Sequence, residues 1–199
     1  MQEFWNERYA QEPYVYGTQP NAFFRRQMAA IGKAGRALFP AEGEGRNAVY
    51  AAEQGWTVEA FDFSASAQKK ARQLAKMRGV TISYTLSSLE NFSYKTEQYD
   101  LIGLFFIHVP PPLRSFLHRK VIDALRPGGR IILEAFHPDQ LERQSGGPKK
   151  VDLLYSADLL RNDFTKLDIQ YLKQITEDLS EGAYHQGEAH LTRLVAQKN

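Results

Sequence analysis

Apolar residues in this chain fall into short blocks separated by Gly, Pro and polar turns. Residues 36–41 (RALFPA) form a short apolar run of the length of a buried strand, and 46–54 (RNAVYAAEQ) read as a helix stopped by Gly55. Residues 57–61 are rich in β-formers and end at Asp62. Residues 64–78 read as a helix with Ser64 as cap and Gly79 as stop. A strand is expected at 80–86. The run 99–106 (YDLIGLFF) is nearly all apolar, as a central parallel strand requires. An amphipathic helix at 113–125 can start at the prolines 110–112, residues 126–129 (RPGG) make a tight connection, and 130–136 form the next apolar strand.

This alternation predicts a doubly wound α/β sheet, mainly parallel, with helices on both faces. The last third differs. A helix is expected at 156–164, then long strands at 166–179 and 189–197 joined by a Gly-containing hairpin connection at 180–188. An antiparallel pair would thus end a mixed sheet. Ahead of the first strand, Pro20-Asn21 opens a helix expected to run to about Ile31. The chain reads as one domain over 1–199, with an aromatic-rich N-terminal part at 1–31 and a core at 32–199.

Composition narrows the function. The 199 residues are 43% hydrophobic and 24% charged, enough for a core without staples. No cysteine is present, which excludes thiol nucleophiles, cysteine-ligated zinc and disulfides and suits the cytoplasm. The start, MQEFWNERYA, lacks a basic segment followed by an apolar one, and no apolar run is long enough for a membrane span. Net charge is +2 with scattered Lys and Arg, unlike the footprint of a nucleic-acid binder. A small molecule is the expected partner.

The sharpest signal is Gly43-Glu44-Gly45-Arg46-Asn47-Ala48, between an expected strand and an expected helix. It fits G-x-G-x-x-G/A, in which small residues allow a tight turn and close approach of a ligand to the helix N-terminus. Asp62 ends the following strand, where a carboxylate can accept bonds from ribose hydroxyls. Ligands bind at the carboxyl ends of such strands. A nicotinamide dinucleotide would need room for a second nucleotide and a substrate domain. S-adenosylmethionine needs only one nucleotide-binding half, so the length favours the methyl donor.

These residues resemble a class I S-adenosylmethionine-dependent methyltransferase. The chain is similar in particular to the tellurite-resistance and thiopurine methyltransferase-like branch. The resemblance rests on Trp5-Asn6-Glu7-Arg8-Tyr9, Tyr16-Gly17-Thr18-Gln19-Pro20-Asn21, residues 41–47 (AEGEGRN), Ala60-Phe61-Asp62-Phe63-Ser64, Leu125-Arg126-Pro127-Gly128-Gly129 and residues 181–187 (EGAYHQG). It implies a Rossmann-like seven-stranded sheet with the last strand antiparallel. It implies S-adenosylmethionine as cofactor and S-adenosylhomocysteine as product. Gly43 and Gly45 would pass under the methionine part, flanked by Arg46 and Asn47. Asp62 would hold the ribose with Phe63 beside the adenine, and Ser88 and Leu89 would lie along its edge. Phe106 and His108 would line the cofactor and substrate side. Trp5, Tyr9 and Tyr16 would fold over the cofactor as an aromatic lid. The family's acid in the first strand has become Phe39 and its first turn glycine Ala41, which leaves Glu42 to take part of that acid's role toward the cofactor's ammonium.

Methyl transfer is an in-line displacement in which the protein aligns the partners and excludes water. His108, just past the fourth strand, and His185, in the last connection, are the candidate proton acceptors. His118 is expected on a helix surface, His190 in a strand, and Arg8 in a surface ion pair. No histidine pair has metal spacing. Residues 146–150 (GGPKK) read as a flexible loop. The acceptor would be a thiol, a chalcogen oxyanion or a similar small nucleophile, and the protein a monomer or weak homodimer. The rivals are an NAD(P)-dependent oxidoreductase and a non-catalytic cofactor binder on the same fold.

Overall fold

A computed structural model describes residues 2–199. The strands are β1 (Arg36–Pro40), β2 (Thr57–Asp62), β3 (Ser83–Leu86), β4 (Tyr99–Phe105), β5 (Leu125–Phe136), β6 (Asp168–Ser180) and β7 (Gln186–Gln197). The helices are α1 (Gln2–Ala10), α2 (Ala22–Met28), α3 (Arg46–Glu53), α4 (Ala65–Met77), α5 (Pro111–Ala124) and α6 (Ala157–Asp163), with short 3₁₀ turns at Pro138–Glu142 and Val151–Leu153. One seven-stranded sheet runs in the order β3-β2-β1-β4-β5-β7-β6. β1, β2 and β3 are parallel, as are β4 and β5, and β7 runs antiparallel to both β5 and β6. The expected mixed sheet with a reversed last strand is therefore present.

By its internal contacts the chain forms two compact units, residues up to Ser93 with Glu181–Ala183, and Tyr94–Ser180 with Tyr184–Asn199. In the first, Leu38, Phe39, Ala60 and Phe61 are fully buried, and Phe61 stacks on Phe92 at 3.9 Å. In the second, Leu101, Ile102 and Leu104 of β4 and Ile131, Ile132 and Leu133 of β5 make the core. Near-continuous burial of these runs is what a strand covered on both faces demands.

Local chemistry sets the boundaries. Ser64 caps α4 by accepting from the Ala67 amide at 3.2 Å. The α2 helix is shorter than expected because Asn21 is its cap, accepting from the Phe24 amide at 2.9 Å, and Pro20 lies outside it. The strand expected at 80–86 is confined to Ser83–Leu86. β5 takes in the Pro-Gly-Gly turn, where a Cβ on Gly129 would lie 2.8 Å from the Tyr99 carbonyl. The hairpin connection is tighter than expected, β7 starting at Gln186. The α1 helix was not expected at all.

Two surface assignments change, those of His118 and of the loop after β5. His118 is buried at 2% exposure, its Nδ1 2.8 Å from Asp163. Arg8 lays its guanidinium over Phe4 and Trp5, 4.4 and 5.2 Å from the ring centroids, and donates to the Tyr16 hydroxyl. The loop after β5 is pinned: Gln140 donates to the Gly146 carbonyl at 3.0 Å and Ser145 to the Glu188 carbonyl at 2.6 Å. Two Gly residues in a row suggested mobility, but here they make room for close packing on Phe136, 2.9 Å from a Cβ on Gly147.

Candidate functional site

β1 ends in a backbone that bends sharply. Ala41 has φ +46°, then Gly43 and Gly45 have φ +62° and +88°. These left-handed positions turn the chain from the strand into α3. The glycines also allow close approach, though by the chain itself. A Cβ on Gly43 would lie 2.7 Å from the Tyr9 hydroxyl, and one on Gly45 would lie 2.7 Å from Cβ of Ala71 in α4. Gly45 thus serves helix packing, while Gly43 lets a buried phenol rest on the turn.

Two carboxylates fix this turn. Asp62 accepts from the Gly43 amide at 3.1 Å and from the Ser64 amide at 2.8 Å. Glu42 accepts from the Asn47 and Ala48 amides at the start of α3, both at 2.8 Å and both through Oε1. Those amides are among the donors a helix leaves unsatisfied. Burial pushes the Asp62 carboxyl up to about 6, against the lowering effect of the Ser64, Gly43 and Phe63 amides. It pushes Glu42 up to about 7, against its two amides and Arg46. Tyr84 donates to the Gly43 carbonyl at 2.6 Å and is a turn residue that sequence reasoning missed. Burial and the surrounding carboxylates raise both Tyr9 and Tyr84, so both phenols stay neutral.

Residues 13–22 run over the turn as a strap tied by charged groups. Glu44 accepts from the Val15 amide at 2.7 Å and pairs with Lys70, whose Nζ also donates to the Pro13 carbonyl. Arg46 pairs with Glu181 at 2.8 Å and donates to the Tyr16 carbonyl. Asn47 accepts from the Asn21 amide, and Glu181 accepts from Asn21 and the Ala22 amide. The Arg46 and Asn47 side chains therefore hold the strap. Glu181 was legible only as part of a resemblance motif.

Three N-terminal aromatic rings gather. Trp5 stacks on Tyr9 at 5.4 Å, and Tyr16 lies 6.5 Å from each. The α1 helix is held by Gln2, which donates to the Phe63 carbonyl, and by Asn6, which accepts from Ser64 Oγ. Ser88 caps its own turn by accepting from the Asn91 amide, beside buried Leu89.

In the second unit, Phe106 leaves β4 with φ +54°. Its ring lies 4.4 Å from His185 and 4.9 Å from Phe136, and His185 is also edge-on to Phe136. His108 is committed on both sides: Nδ1 donates to the Leu153 carbonyl and Nε2 accepts from the Phe136 amide. Burial pushes its imidazole down to about 4. It is a neutral structural histidine, and its position after β4 does not make it a base. Phe136 is the unanticipated center of this cluster. Among the described residues no group of three or more His, Asp or Glu could hold a metal, and no helix is long and apolar enough to cross a membrane.

The strand order with β7 reversed is that of the Rossmann-like methyltransferase fold. Residues 40–129 match the family model described as a methyltransferase domain, which takes in the glycine turn, Asp62 and the Pro-Gly-Gly turn. A comparison with curated proteins gives no match. Among solved structures, one from work on converting a disulfide bond into a thioacetal group during echinomycin biosynthesis is 18% identical, with TM-score 0.81, covering 100% of this chain and 93% of that one. TehB from Haemophilus influenzae is 14% identical with TM-score 0.73, covering 100% of this chain and 67% of its own. The Burkholderia thailandensis 1,6-didemethyltoxoflavin-N1-methyltransferase, solved with its substrate and S-adenosylhomocysteine, is 19% identical with TM-score 0.64, covering 89% and 79%. At such identities the likeness establishes the fold.

Proposed function

We propose that this chain is an S-adenosylmethionine-dependent methyltransferase that moves a methyl group to a small-molecule nucleophile. The observation that carries this reading is the tie between Asp62 and Gly43 inside the segment matched by the methyltransferase-domain model. It sets a carboxylate at the end of β2 against the glycine turn, the arrangement that serves a ribose and the chain attached to it. Glu42, Phe63, Ser88 and Leu89 border the same turn and strand ends. Trp5, Tyr9 and Tyr16 exclude water from it.

When bound, S-adenosylmethionine supplies a methyl carbon on a sulfonium, and S-adenosylhomocysteine is the product. The chain's own work is to hold that group and align the acceptor in line with it. A neutral acceptor must also lose a proton. His185, packed between Phe106 and Phe136, is the proton acceptor in this reading, since His108 has both nitrogens engaged. The acceptor is a thiol, a chalcogen oxyanion or a similar nucleophile. The tellurite-resistance and thiopurine-like branch is supported by the N-terminal motifs and by the TehB fold match. The protein acts in the cytoplasm as a monomer or weak homodimer.

Titration calorimetry with S-adenosylhomocysteine and with NADH tests the cofactor. Binding of the first is expected, and binding of NADH alone would sink the reading in favour of an oxidoreductase. A methyl-transfer screen over thiols, selenite, tellurite and phenols then tests turnover. Affinity without transfer across that panel would make the protein a cofactor binder only.

A further inference from the structure

We infer that Phe106 is a positioning residue for the imidazole of His185, set against it by a strained backbone at the end of β4. The inference rests on the reading in which His185 takes the acceptor's proton, and deepens it.

Phe106 holds φ +54°, a left-handed conformation that bulky side chains avoid. Such strain persists only where the surroundings over-determine it. Here each residue of the turn after β4 is tied. The Phe106 amide donates to the Glu134 carbonyl at 2.8 Å. The Tyr155 hydroxyl donates to the Ile107 carbonyl. His108 has both ring nitrogens engaged, by the Leu153 carbonyl and the Phe136 amide. The bend breaks the alternation of a regular strand, and the Phe106 ring lies on His185 with centroids 4.4 Å apart and planes at 62°. Packing alone does not call for this. Phe106 is only partly buried, at the margin of the apolar cluster of Phe136, Leu154, Leu179 and Leu191, and an unstrained apolar residue could cover that margin.

The imidazole is bounded on further sides. Phe136 stands at right angles to it, 5.2 Å between centroids. A Cβ on Gly146 would lie 3.0 Å from its Cδ2, so the loop backbone closes on the ring as well. His185 is 5% exposed. Neighbouring charges do not compete with this steric control. His108 is the titratable group whose charge bears on His185 from the turn, and it is neutral above about 4. Glu188 of β7 is paired with Arg143 of the loop after β5, and Glu177 of β6 with Arg193 of β7. The slot therefore acts on the orientation of the imidazole. A general base works only within hydrogen-bond reach of its proton, and a shift of about 1 Å can cost about a hundredfold in rate. A neutral thiol gives its proton to the imidazole as its sulfur bonds to the methyl carbon and the carbon–sulfonium bond breaks. Selenite is already anionic and needs no base.

The test is methyl transfer to 2-mercaptoethanol and to selenite by wild type, Phe106→Leu and Phe106→Tyr, with long-range proton–nitrogen spectra of the ligand-free proteins. Leucine keeps the apolar bulk and the backbone cost but has no ring. The thiol-to-selenite ratio of kcat should fall about tenfold or more in the leucine variant. With tyrosine it should recover to within about threefold of wild type, since a rigid ring is back. In the leucine variant the ring signals of His185 should move and its tautomer balance change, while His108, held at both nitrogens, keeps its tautomer. An unchanged ratio, or an equal fall in both variants, would overturn the positioning role. Where the wild type methylates only one probe or neither, the spectra decide, and His185 signals that stay in place overturn it. Failure of the methyltransferase reading shows separately, as no binding of S-adenosylhomocysteine by the wild type. If the leucine variant does not fold, Phe106→Met replaces it, its flexible chain filling the same space without a rigid ring.

Discussion

The carboxylate of Asp62 holds the Gly43 amide at 3.1 Å, so one side chain ties the glycine turn to the end of β2. The same carboxylate holds the Ser64 amide at the start of α4. Asp62→Ala should therefore lose stability as well as cofactor affinity. Two amides lose their acceptor, and each buried one costs about 1–3 kcal/mol. Urea denaturation should show the loss, and calorimetry should show weaker S-adenosylhomocysteine binding. Unchanged affinity in a folded variant would remove Asp62 from the site.

Glu134, Arg193 and Glu177 form a charge cluster across β5, β7 and β6. Arg193 is 5% exposed and Glu134 1%. Removing one partner strands a buried charge. Glu134→Leu alone should cost about 3–5 kcal/mol, whereas Glu134→Leu with Arg193→Leu should cost less than the two single changes added. Additive losses in denaturant titrations would contradict the coupling.

Ala41 holds a left-handed backbone, φ +46°, a conformation that favours glycine. A side chain pays about 1–2 kcal/mol there, and glycine's extra chain entropy returns about 0.5–1. Ala41→Gly should raise stability by up to about 1 kcal/mol, read as a higher melting temperature. A lower one would mean that the methyl group packs usefully.

Opposite pH trends should be separable by difference. The Glu42 carboxyl is raised from 4.5 to about 7, so the folded state binds its proton more tightly and gains stability as pH falls through that window. His108 is lowered from 6.5 to about 4, so the folded state resists protonation and loses stability as pH falls through that window. Relative to wild type, Glu42→Gln should lose ground on acidification from pH 7, and His108→Gln should gain it from pH 6.5. Melting curves of the three ligand-free proteins at several pH values check both signs.

A Cβ on Gly182, at φ +75°, would lie 2.2 Å from the Val15 carbonyl and 2.5 Å from Cα of Tyr16. Both contacts are with backbone, which cannot step aside. Gly182→Ala should cost at least about 2 kcal/mol and loosen the strap. Faster amide exchange at residues 14–22 would show it, and unchanged exchange would contradict it.

The sheet was legible because its strands are apolar runs punctuated by glycine and proline. Gly43 and Asp62 were legible because a turn and a following acid leave a local spacing. The α1 helix was not, since only Tyr9 of its residues is buried and its pattern of apolar positions follows no face. The partners of His108 and His118 were not legible either: Leu153 and Asp163 each lie 45 positions away, and local periodicity carries no record of such contacts. The tertiary partners of Arg46 and Asn47 were hidden for the same reason. The proximity of these two residues to the turn was visible, but Glu181 and Asn21, which engage them, are brought in by tertiary structure.

The Arg46–Glu181 pair spans 135 positions of sequence, and the Asn21–Glu181 bond spans 160. During synthesis the strap and the glycine turn leave the ribosome long before Glu181 does. The first unit must wait for its last three residues, with Arg46 and Asn21 lacking this partner meanwhile. Chains stopped short of Glu181 should consequently carry an unfastened strap, so the roof of the site is set only once Glu181 has been made.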